Sequence, residues 1–423
     1  MLDLKKFIKN SEQFIHQLEK RKVKREDLLT ILELAKSRSQ VMTTLQNLES
    51  ERNKISKEIG IKKAAGQDAS NLFVQVSELK KRIEAIKQEE TDINHNIKEK
   101  MLYIPNLPSD KTPDGEDEND NLVLSTNDQI GNKLIKDVKP HYEIGVDLDL
   151  IDFERAVKLS GSRFWAYKKD GAKMIRALEN FMLDTHIKNG YEEWRPPVIV
   201  RSHILQGTGQ LPKFEDDLFK IEGSDSYLIP TAEVPLTNLY HNEIIDLKKP
   251  IALTAFTPCF RAEAGSGGRD MKGLIRAHQF NKVELVKFVT KDQLAEEYKK
   301  TIEDAKNILN LLELPYREIQ LCVGDLGFSA EQTLDLEVWI PSERRFREIS
   351  SISSFGDFQG RRASIRYKDQ DGKSTYAYTI NGSGLAIDRT MAAILENCQN
   401  PDGTITIPKA LRPYMNNQEI IKK

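Results

Sequence analysis

Apolar residues recur every three or four positions through most of residues 26–104, and this repeat restricts the fold more than any other feature of the chain. In heptads counted from Ile31, seven of ten seam positions are apolar, and a second run that begins at Leu72 has seven of nine. The two seams comprise Ile31, Leu34, Arg38, Val41, Leu45, Leu48, Arg52, Ile55, Ile59 and Lys62, then Leu72, Val76, Leu79, Ile83, Ile86, Glu90, Ile93, Ile97 and Lys100. Stripes this narrow are typical of coiled coils rather than of helices packed into a globule.

Residues 60–68 separate the two seams and contain two glycines and an aspartate, which are residues that end one helix and start another. Two seamed helices joined by a short turn predict an antiparallel coiled-coil hairpin over about residues 27–104, here called the arm. Some 35 residues per helix give a length of roughly 50 Å. Pro105 and Pro108 are expected to end the second helix.

The arm has an uneven charge. Between Arg52 and Arg82 there are eight basic and three acidic residues, a net charge of +5. A solvated coiled-coil surface and a surface that binds nucleic-acid phosphates both explain this excess, and the arm alone does not decide between them.

The overall charge excludes a protein with a uniformly basic, nucleic-acid-binding surface, because the chain has 63 Lys and Arg residues and 65 Asp and Glu residues.

Cys259, Cys322 and Cys398 are far apart in sequence, so neither a disulfide framework nor a zinc site is expected. The first residues include no apolar signal segment, and no window approaches the roughly 18 apolar residues of a membrane span. We therefore expect a cytoplasmic protein that does not bind membranes.

At 423 residues the chain is long enough for two or three domains. We expect an N-terminal domain over residues 1–108, an acidic linker over 109–120 and an α+β domain over 121–423. The linker is rich in Asp, Glu and turn residues, and the third segment mixes strand-like and helix-like patterns.

The stretch from Thr257 to Phe288 has strand-like flanks and a glycine-rich, charged centre, which predicts two antiparallel strands joined by a long loop. Charged residues and an aromatic residue crowd these strands, namely Arg261, Glu263, Arg276, Gln279, Phe280, Lys282 and Glu284. Guanidinium groups bind phosphate and an aromatic face stacks on a base, so the pattern favours a nucleotide site. A surface ladder of salt bridges is the alternative.

The same stretch resembles motif 2 of class II aminoacyl-tRNA synthetases, in the form found in the seryl-tRNA synthetase family. Other segments resemble further motifs of that family in the expected order, namely 190–197 (motif 1), 227–238 (the Thr-Ala-Glu loop), 347–351 with 356–362 (the metal and ATP segment) and 381–397 (motif 3). The arm occupies the place of the family's tRNA-binding arm. The resemblance implies an α+β class II fold, an antiparallel sheet flanked by helices, with an N-terminal coiled-coil arm.

The resemblance also implies roles for individual residues. The catalytic arginines would be Arg261 and Arg389. The serine-binding residues would be Thr231, Ala232, Glu233, Arg261, Glu284, Asn381 and Ser383. The ATP-binding residues would be Arg261, Ala262, Glu263, Arg276, Ala277, Phe280, Glu348, Ile349, Ser350, Ser351 and Arg389. Glu348 and Ser351 would also bind Mg²⁺, and no zinc is implied.

The implied reaction joins L-serine to the 3′ end of serine tRNA through seryl-adenylate, using ATP and Mg²⁺, in a homodimer formed by motif 1. The serine carboxylate is already ionised at neutral pH, so its activation requires alignment and charge stabilisation rather than a base. Taken singly, Glu233 and Glu284 could also be strand-surface carboxylates. Two other hypotheses are a coiled-coil RNA-binding or scaffolding protein with a decayed catalytic domain, and a relative that loads a carrier protein.

Two departures from the family pattern affect the expected site. Met271-Lys272 stand in the motif 2 loop where the family often has Thr-Arg, which affects a contact with the acceptor end of tRNA. Asp388 replaces a small residue beside Arg389, and we expect that the two could pair.

Overall fold

The computed structural model describes residues 1–127, 138–264 and 272–423. These residues form two compact units, a smaller unit of Leu2–Ile104 and a larger unit of Pro105–Lys423 together with Met1. The predicted boundaries at 108 and 120 remain predictions.

The smaller unit is helical. Its helices are α1 (Leu4–Lys9), α2 (Ser11–Lys20), α3 (Arg25–Ala64) and α4 (Ser70–Leu102). Near the turn between the long helices, the Lys63 ammonium lies over the Phe73 ring at 4.8 Å, and farther along Lys87 pairs with Glu49 at 3.0 Å. The helix α4 therefore runs back along α3, as the two seams predicted.

Seam residues form the arm's core. Leu48, Leu79 and Ile83 are buried against one another, and Leu45, Ile55 and Ile86 pack on them. The predicted coiled-coil hairpin is thus confirmed.

The first long helix ends within the predicted break at residues 60–68. It continues through Gly60 to Ala64, and Gly66, at φ +68°, then adopts the left-handed conformation of the turn. One glycine costs a helix only about 1 kcal/mol relative to alanine, so the seam extends the helix past it. After the turn, Asp68 accepts a hydrogen bond from the Ser70 amide at 2.9 Å, where α4 begins.

The larger unit contains a mixture of helices and strands. Its helices are α5 (His141–Asp147), α6 (Phe153–Ser160), α7 (Lys169–Lys188), α8 (Ser202–Thr208), α9 (Glu233–Asn238), α10 (Leu294–Leu311), α11 (Phe358–Arg362) and α12 (Ile387–Asn397). Short 3₁₀ helices span Glu118–Asp120, Glu215–Asp217, Pro341–Glu343 and Lys409–Met415.

The strands are β1 (Leu122–Asn127), β2 (Ile151–Asp152), β3 (Ala166–Tyr167), β4 (Glu192–Glu193), β5 (Ile199–Arg201), β6 (Lys220–Ile221), β7 (Ser226–Leu228), β8 (Ile244–Ile245), β9 (Ile251–Phe260), β10 (Gln279–Val289), β11 (Tyr316–Gln320), β12 (Gln332–Ile340), β13 (Arg345–Gly356), β14 (Arg366–Lys368), β15 (Ser374–Tyr376), β16 (Tyr378–Ala386), β17 (Ile405–Thr406) and β18 (Ile420–Ile421). Within the described residues, the main sheet has the order β1-β11-β12-β13-β16-β10-β9-β4. Its pairs are antiparallel except for the short parallel pair of β4 and β9. The predicted fold class is confirmed.

One face of this sheet packs against helices α7, α10 and α12, whose buried apolar side chains form a single core with the strands. Side chains alternate along β10, so Val283 joins that core whereas Lys282 and Glu284 point to the other face. On β16 an extra residue at Gly384 shifts the pairing with β10. This irregularity lets both Ser383 and Leu385 reach their respective faces.

Residues 105–121 pack against the rest of the larger unit through backbone and side-chain hydrogen bonds. The Val323 amide donates to the Pro113 carbonyl at 2.9 Å, and the Thr112 hydroxyl donates to the Glu331 carbonyl at 2.8 Å. The segment predicted as an acidic linker is therefore ordered by contacts within the larger unit.

Candidate active site

Three adjoining cavities lie at the polar face of the main sheet. The first is about 570 Å³, the second about 70 Å³ and the third about 590 Å³. Arg276 and Glu348 line all three, and Arg261 and Lys282 line the first two. The residues that sequence reasoning assigned to an amino acid and to a nucleotide therefore meet at one surface.

Glu284 forms the floor of the first cavity. Its side chain is 1 % exposed, and its carboxylate accepts hydrogen bonds from the Thr231 hydroxyl at 3.0 Å and the Asn381 amide at 3.1 Å. The Lys282 ammonium lies 2.5 Å from the same carboxylate. Ser383 lines the cavity beside them. This group offers both hydrogen-bond donors and hydrogen-bond acceptors to a small polar ligand.

Glu233 provides a second buried carboxylate in the first cavity. Gln359 donates a hydrogen bond to it at 2.7 Å, and the Thr379 hydroxyl fixes Gln359 by donating to its amide oxygen at 2.7 Å. Burial, together with the nearby Glu284 carboxylate, raises the pKa of Glu233 to about 7. A cation such as an ammonium group would favour the ionised form of this carboxyl.

The motif 2 strands present an arginine and an aromatic ring together. The Arg261 guanidinium lies 5.0 Å from the centre of the Phe280 ring, and its Nε donates to the Pro230 carbonyl at 3.3 Å. Arg276 pairs with Glu263 at 2.6 Å. Phe280 and Ala277 line the second cavity, which gives that cavity a flat aromatic surface beside cationic groups.

Motif 3 contributes Arg389 from the first turn of α12. Its Nε donates to the Ile275 carbonyl at 3.2 Å, and its Nη1 donates to the Glu348 carbonyl at 2.5 Å. The expected pairing of Asp388 with Arg389 is wrong. Asp388 instead accepts hydrogen bonds from the Tyr167 hydroxyl at 2.6 Å and the Asn281 amide at 2.5 Å, so it joins α12 to β10.

The candidate metal ligands Glu348 and Ser351 line the first and third cavities, and Asp335 lies opposite Ser351 in the pairing of β12 with β13. The Asp335 Oδ1 atom is buried and has no hydrogen-bond partner among the described residues. Burial, with a further contribution from Glu348, raises the pKa of Asp335 well above its usual value. A buried carboxylate oxygen of this kind fits a hard divalent cation.

Among the described residues no three His, Cys, Asp or Glu side chains are grouped as a complete metal site. Mg²⁺ commonly uses only one or two carboxylates and takes its other ligands from water and substrate phosphates. The available oxygen ligands therefore fit a magnesium ion that arrives with a nucleotide.

Most of the predicted site residues line a cavity, and three do not. Ala232 is buried in the apolar cluster beneath α9, the Ala262 amide donates to the Asp217 carbonyl at 2.9 Å, and the Ser350 hydroxyl donates to the Ser383 carbonyl at 2.6 Å. Ile349 lines the second cavity. The tRNA contact expected at Met271 lies outside the described residues.

Sequence reasoning did not assign roles to Lys282, Gln359 and Asp335. Lys282 could have been found, because it stands two residues before Glu284 on the same strand and must share its face. Asp335 reaches the site because β12 pairs with β13, and Gln359 reaches Glu233 from helix α11. Neither contact can be read from the local sequence pattern.

Family models match both parts of the chain. Residues 1–108 match the model "Seryl-tRNA synthetase N-terminal domain", and residues 214–398 match "tRNA synthetase class II core domain (G, H, P, S and T)". The "Serine--tRNA ligase" of Metamycoplasma arthritidis is 56 % identical over 416 residues, which are 98 % of both chains. The chain belongs to the seryl-tRNA synthetase family. The enzyme class that the motifs implied, a class II aminoacyl-tRNA synthetase, is thereby confirmed.

More distant relatives agree over the whole length. The "Serine--tRNA ligase" of Carboxydothermus hydrogenoformans is 48 % identical over 426 residues and 100 % of both chains. A crystal structure of the seryl-tRNA synthetase from Pyrococcus horikoshii complexed with ATP has a TM-score of 0.93 and 35 % identity, covering 100 % of this chain and 99 % of the other. A cytoplasmic serine-tRNA ligase from Naegleria fowleri shares the fold, with a TM-score of 0.88 at 24 % identity and the same coverage.

No helix within residues 1–127, 138–264 and 272–423 is long and apolar enough to cross a membrane.

Proposed function

We propose that this chain ligates L-serine to the 3′ end of serine tRNA through a seryl-adenylate intermediate, with ATP and Mg²⁺ as the other requirements. The supporting observation is the shared wall between the first and second cavities, where Arg261 and Lys282 lie between a pocket with two buried carboxylates and a cleft with an aromatic ring. With serine in the first cavity and ATP in the second, that arrangement would bring the serine carboxylate next to the α-phosphate.

In the first cavity the serine ammonium is proposed to interact with Glu233 and Glu284, and Thr231, Asn381 and Ser383 surround the hydroxyl. A buried pocket that hydrogen-bonds the hydroxyl penalises alanine, because its polar groups are then left unpaired. Threonine is discriminated against by the space available for a methyl group, which is a weaker filter.

In the second cavity Phe280 is proposed to stack on adenine while Glu263 accepts a hydrogen bond from its amino group. Arg276 and Arg389 would bind the γ-phosphate side of the triphosphate, and Arg276 would leave Glu263 to do so. Mg²⁺ held by Glu348 and Ser351, with Asp335 close by, would neutralise phosphate charge when bound.

In the first step a serine carboxylate oxygen attacks the α-phosphorus, and the bond to the β-phosphate oxygen breaks to release pyrophosphate. Arg261 and Lys282 stabilise the negative charge that gathers where the two anions meet. In the second step a terminal ribose hydroxyl of tRNA attacks the adenylate carbonyl and AMP leaves. We assign no protein base to that step, which rests on positioning.

The arm is proposed to bind serine tRNA through its basic half, as the match to the N-terminal family domain supports. Its surface is suited to the phosphate backbone and shape of the RNA more than to base edges. We also propose a homodimer formed through motif 1, since residues 190–197 resemble the dimer-forming element of the family. A cytoplasmic location is a separate part of the proposal.

Pyrophosphate–ATP exchange with each of the twenty amino acids, followed by charging of serine tRNA, tests this proposal. Serine alone should support rapid exchange, and serine tRNA should accept the product. Exchange without transfer to tRNA would favour the carrier-protein alternative, and no exchange with any amino acid would contradict the proposal.

A further inference from the structure

A buried histidine outside the three cavities contacts the segment that returns from the motif 2 loop. His141 is the first residue of α5 and is 1 % exposed. Its Nε2 atom lies 3.0 Å from the amide nitrogen of Leu274, and its Nδ1 lies 2.7 Å from a Glu396 carboxylate oxygen. One side chain therefore joins the loop return to α12.

The hydrogen bonds fix the tautomer of this histidine. An amide can only donate, so Nε2 must accept and carry no proton. The proton is then on Nδ1, which donates to Glu396. The His141 amide also donates to Glu396 at 2.9 Å, and the Ser342 amide and hydroxyl donate to the same carboxylate at 2.9 Å each.

The segment held by His141 leads directly to nucleotide-binding residues. Leu274 is two residues before Arg276, and the carbonyl of Ile275 between them accepts a hydrogen bond from Arg389. The helix α12 thus contacts this segment twice, through Arg389 near its start and through Glu396 and His141 near its end.

Gly273 makes the close approach possible. It has φ +83°, and a Cβ atom added to it would lie 2.2 Å from His141 Nε2. The hydrogen bond between Leu274 and His141 therefore depends on a residue without a side chain at the preceding position.

We propose that His141 is a positioning residue for the nucleotide site, which fixes the Leu274 amide and thereby sets the position of Arg276. This inference rests on the proposed function, because it gives Arg276 its role at the triphosphate.

Two variants separate the two hydrogen bonds of the ring. In His141→Asn the amide can occupy the Nδ1 position and reach Glu396, but nothing reaches Leu274. In His141→Gln the side-chain oxygen can accept from Leu274 and the bond to Glu396 is lost. We expect His141→Asn to raise the KM for ATP about 10- to 100-fold, with the serine KM changed less than about threefold, and His141→Gln to keep the ATP KM within about threefold.

Gly273→Ala gives a second test that leaves the His141 and Glu396 side chains unaltered but forces the ring and the 273–274 backbone apart, and it should raise the ATP KM selectively. Leu411→Ala, which truncates a buried core side chain in the 3₁₀ helix Lys409–Met415, controls for loss of stability. Equal ATP KM values in the two His141 variants, or changes that track thermal stability as in Leu411→Ala, would overturn the inference.

ATP affinity measured by titration calorimetry distinguishes this failure from failure of the proposed function. If the unaltered protein bound ATP but gave no serine-dependent exchange, the proposed function would fail. The calorimetric comparison of His141→Asn with His141→Gln would still decide the role of His141.

Discussion

Glu233 and Glu284 are two carboxylates in the same cavity, and each has a different set of partners. Glu284 faces a lysine at 2.5 Å, whereas Glu233 has an uncharged amide donor, Gln359, at 2.7 Å. Burial raises the pKa of Glu233, and the like charge of Glu284 adds to that shift. Glu284 is therefore already paired with a lysine before a ligand binds. Ionisation of Glu233, in contrast, is favoured when a cation arrives.

The pH dependence of serine binding follows from this coupling. Because the pKa of Glu233 in the free protein is about 7, the ionised fraction that attracts an ammonium rises about tenfold from pH 6 to pH 8. We expect the serine KM in the exchange reaction to fall by roughly that factor over this range. In Glu233→Gln the KM should be high and nearly independent of pH, and an unchanged slope in that variant would exclude Glu233 as its source.

Lys282 lines both the amino-acid and the nucleotide cavities, so its charge should matter more for turnover than for serine binding. We expect Lys282→Met to lower the maximal exchange rate about 100-fold, or about 3 kcal/mol of transition-state stabilisation, with the serine KM changed less than about threefold. Lys299→Met, at an exposed position of α10, is the matched control. A normal rate with only the KM altered would assign Lys282 to binding alone.

The sequence predicted which side chains lie close together where residues suited to one ligand also stand on strands that a local pattern pairs. Arg261 and Phe280 are close together because the two strands that carry them pair with each other, as the hairpin pattern predicted. Asp388 was misjudged because its sequence neighbour is Arg389, whereas successive residues of a helix point in different directions and its true partners come from β3 and β10.

At the scale of elements, the sheet is joined to its covering helices by buried polar contacts as well as by apolar packing. Lys287 of β10 is 1 % exposed and pairs with Glu297 of α10 at 2.7 Å. Asp304 of the same helix accepts a hydrogen bond from the Tyr191 hydroxyl at 2.9 Å. Burial lowers the pKa of Lys287 and raises that of Asp304, so both ions depend on their partners.

Removing this lysine should therefore destabilise the larger unit. We expect Lys287→Met to lower the free energy of unfolding by about 3 kcal/mol, because Glu297 is left without its cation. Lys299→Met, exposed on α10, should change it by less than about 0.5 kcal/mol. Chemical denaturation measures both, and a loss below about 1 kcal/mol for Lys287→Met would show that Glu297 is adequately solvated without it.

Element types were predictable from periodicity, whereas irregularities were not. The seven-residue repeat predicted both long helices, and the first one ends at Ala64, within the predicted break at residues 60–68. The extra residue at Gly384, which sets the directions of Ser383 and Leu385, depends on pairing with β10 and has no signal within its own strand.

At the scale of the whole molecule, the two units are proposed to divide the work between RNA binding and chemistry. Lys80, Lys81 and Arg82 are exposed on α4, in the basic half of the arm. Replacing all three with alanine should raise the KM for serine tRNA and reduce its salt dependence, because fewer phosphate contacts release fewer counterions. Serine-dependent exchange without tRNA should not change.

The matched control replaces Lys248 and Lys249, two exposed lysines of the larger unit, with alanine. Aminoacylation measured at several salt concentrations compares the two variants. A tRNA KM that is equally affected in both, or unaffected in the arm variant, would contradict tRNA binding by the basic half of the arm.

The most direct test of the account is rapid-quench analysis of the purified protein mixed with ATP labelled at the α-phosphate, Mg²⁺ and serine, without tRNA. The account predicts labelled seryl-adenylate at close to one equivalent per functional site, with AMP formed when serine tRNA is added. Alanine and threonine should give far less adenylate than serine at equal concentration. No adenylate with serine, or equal amounts with alanine, would contradict it.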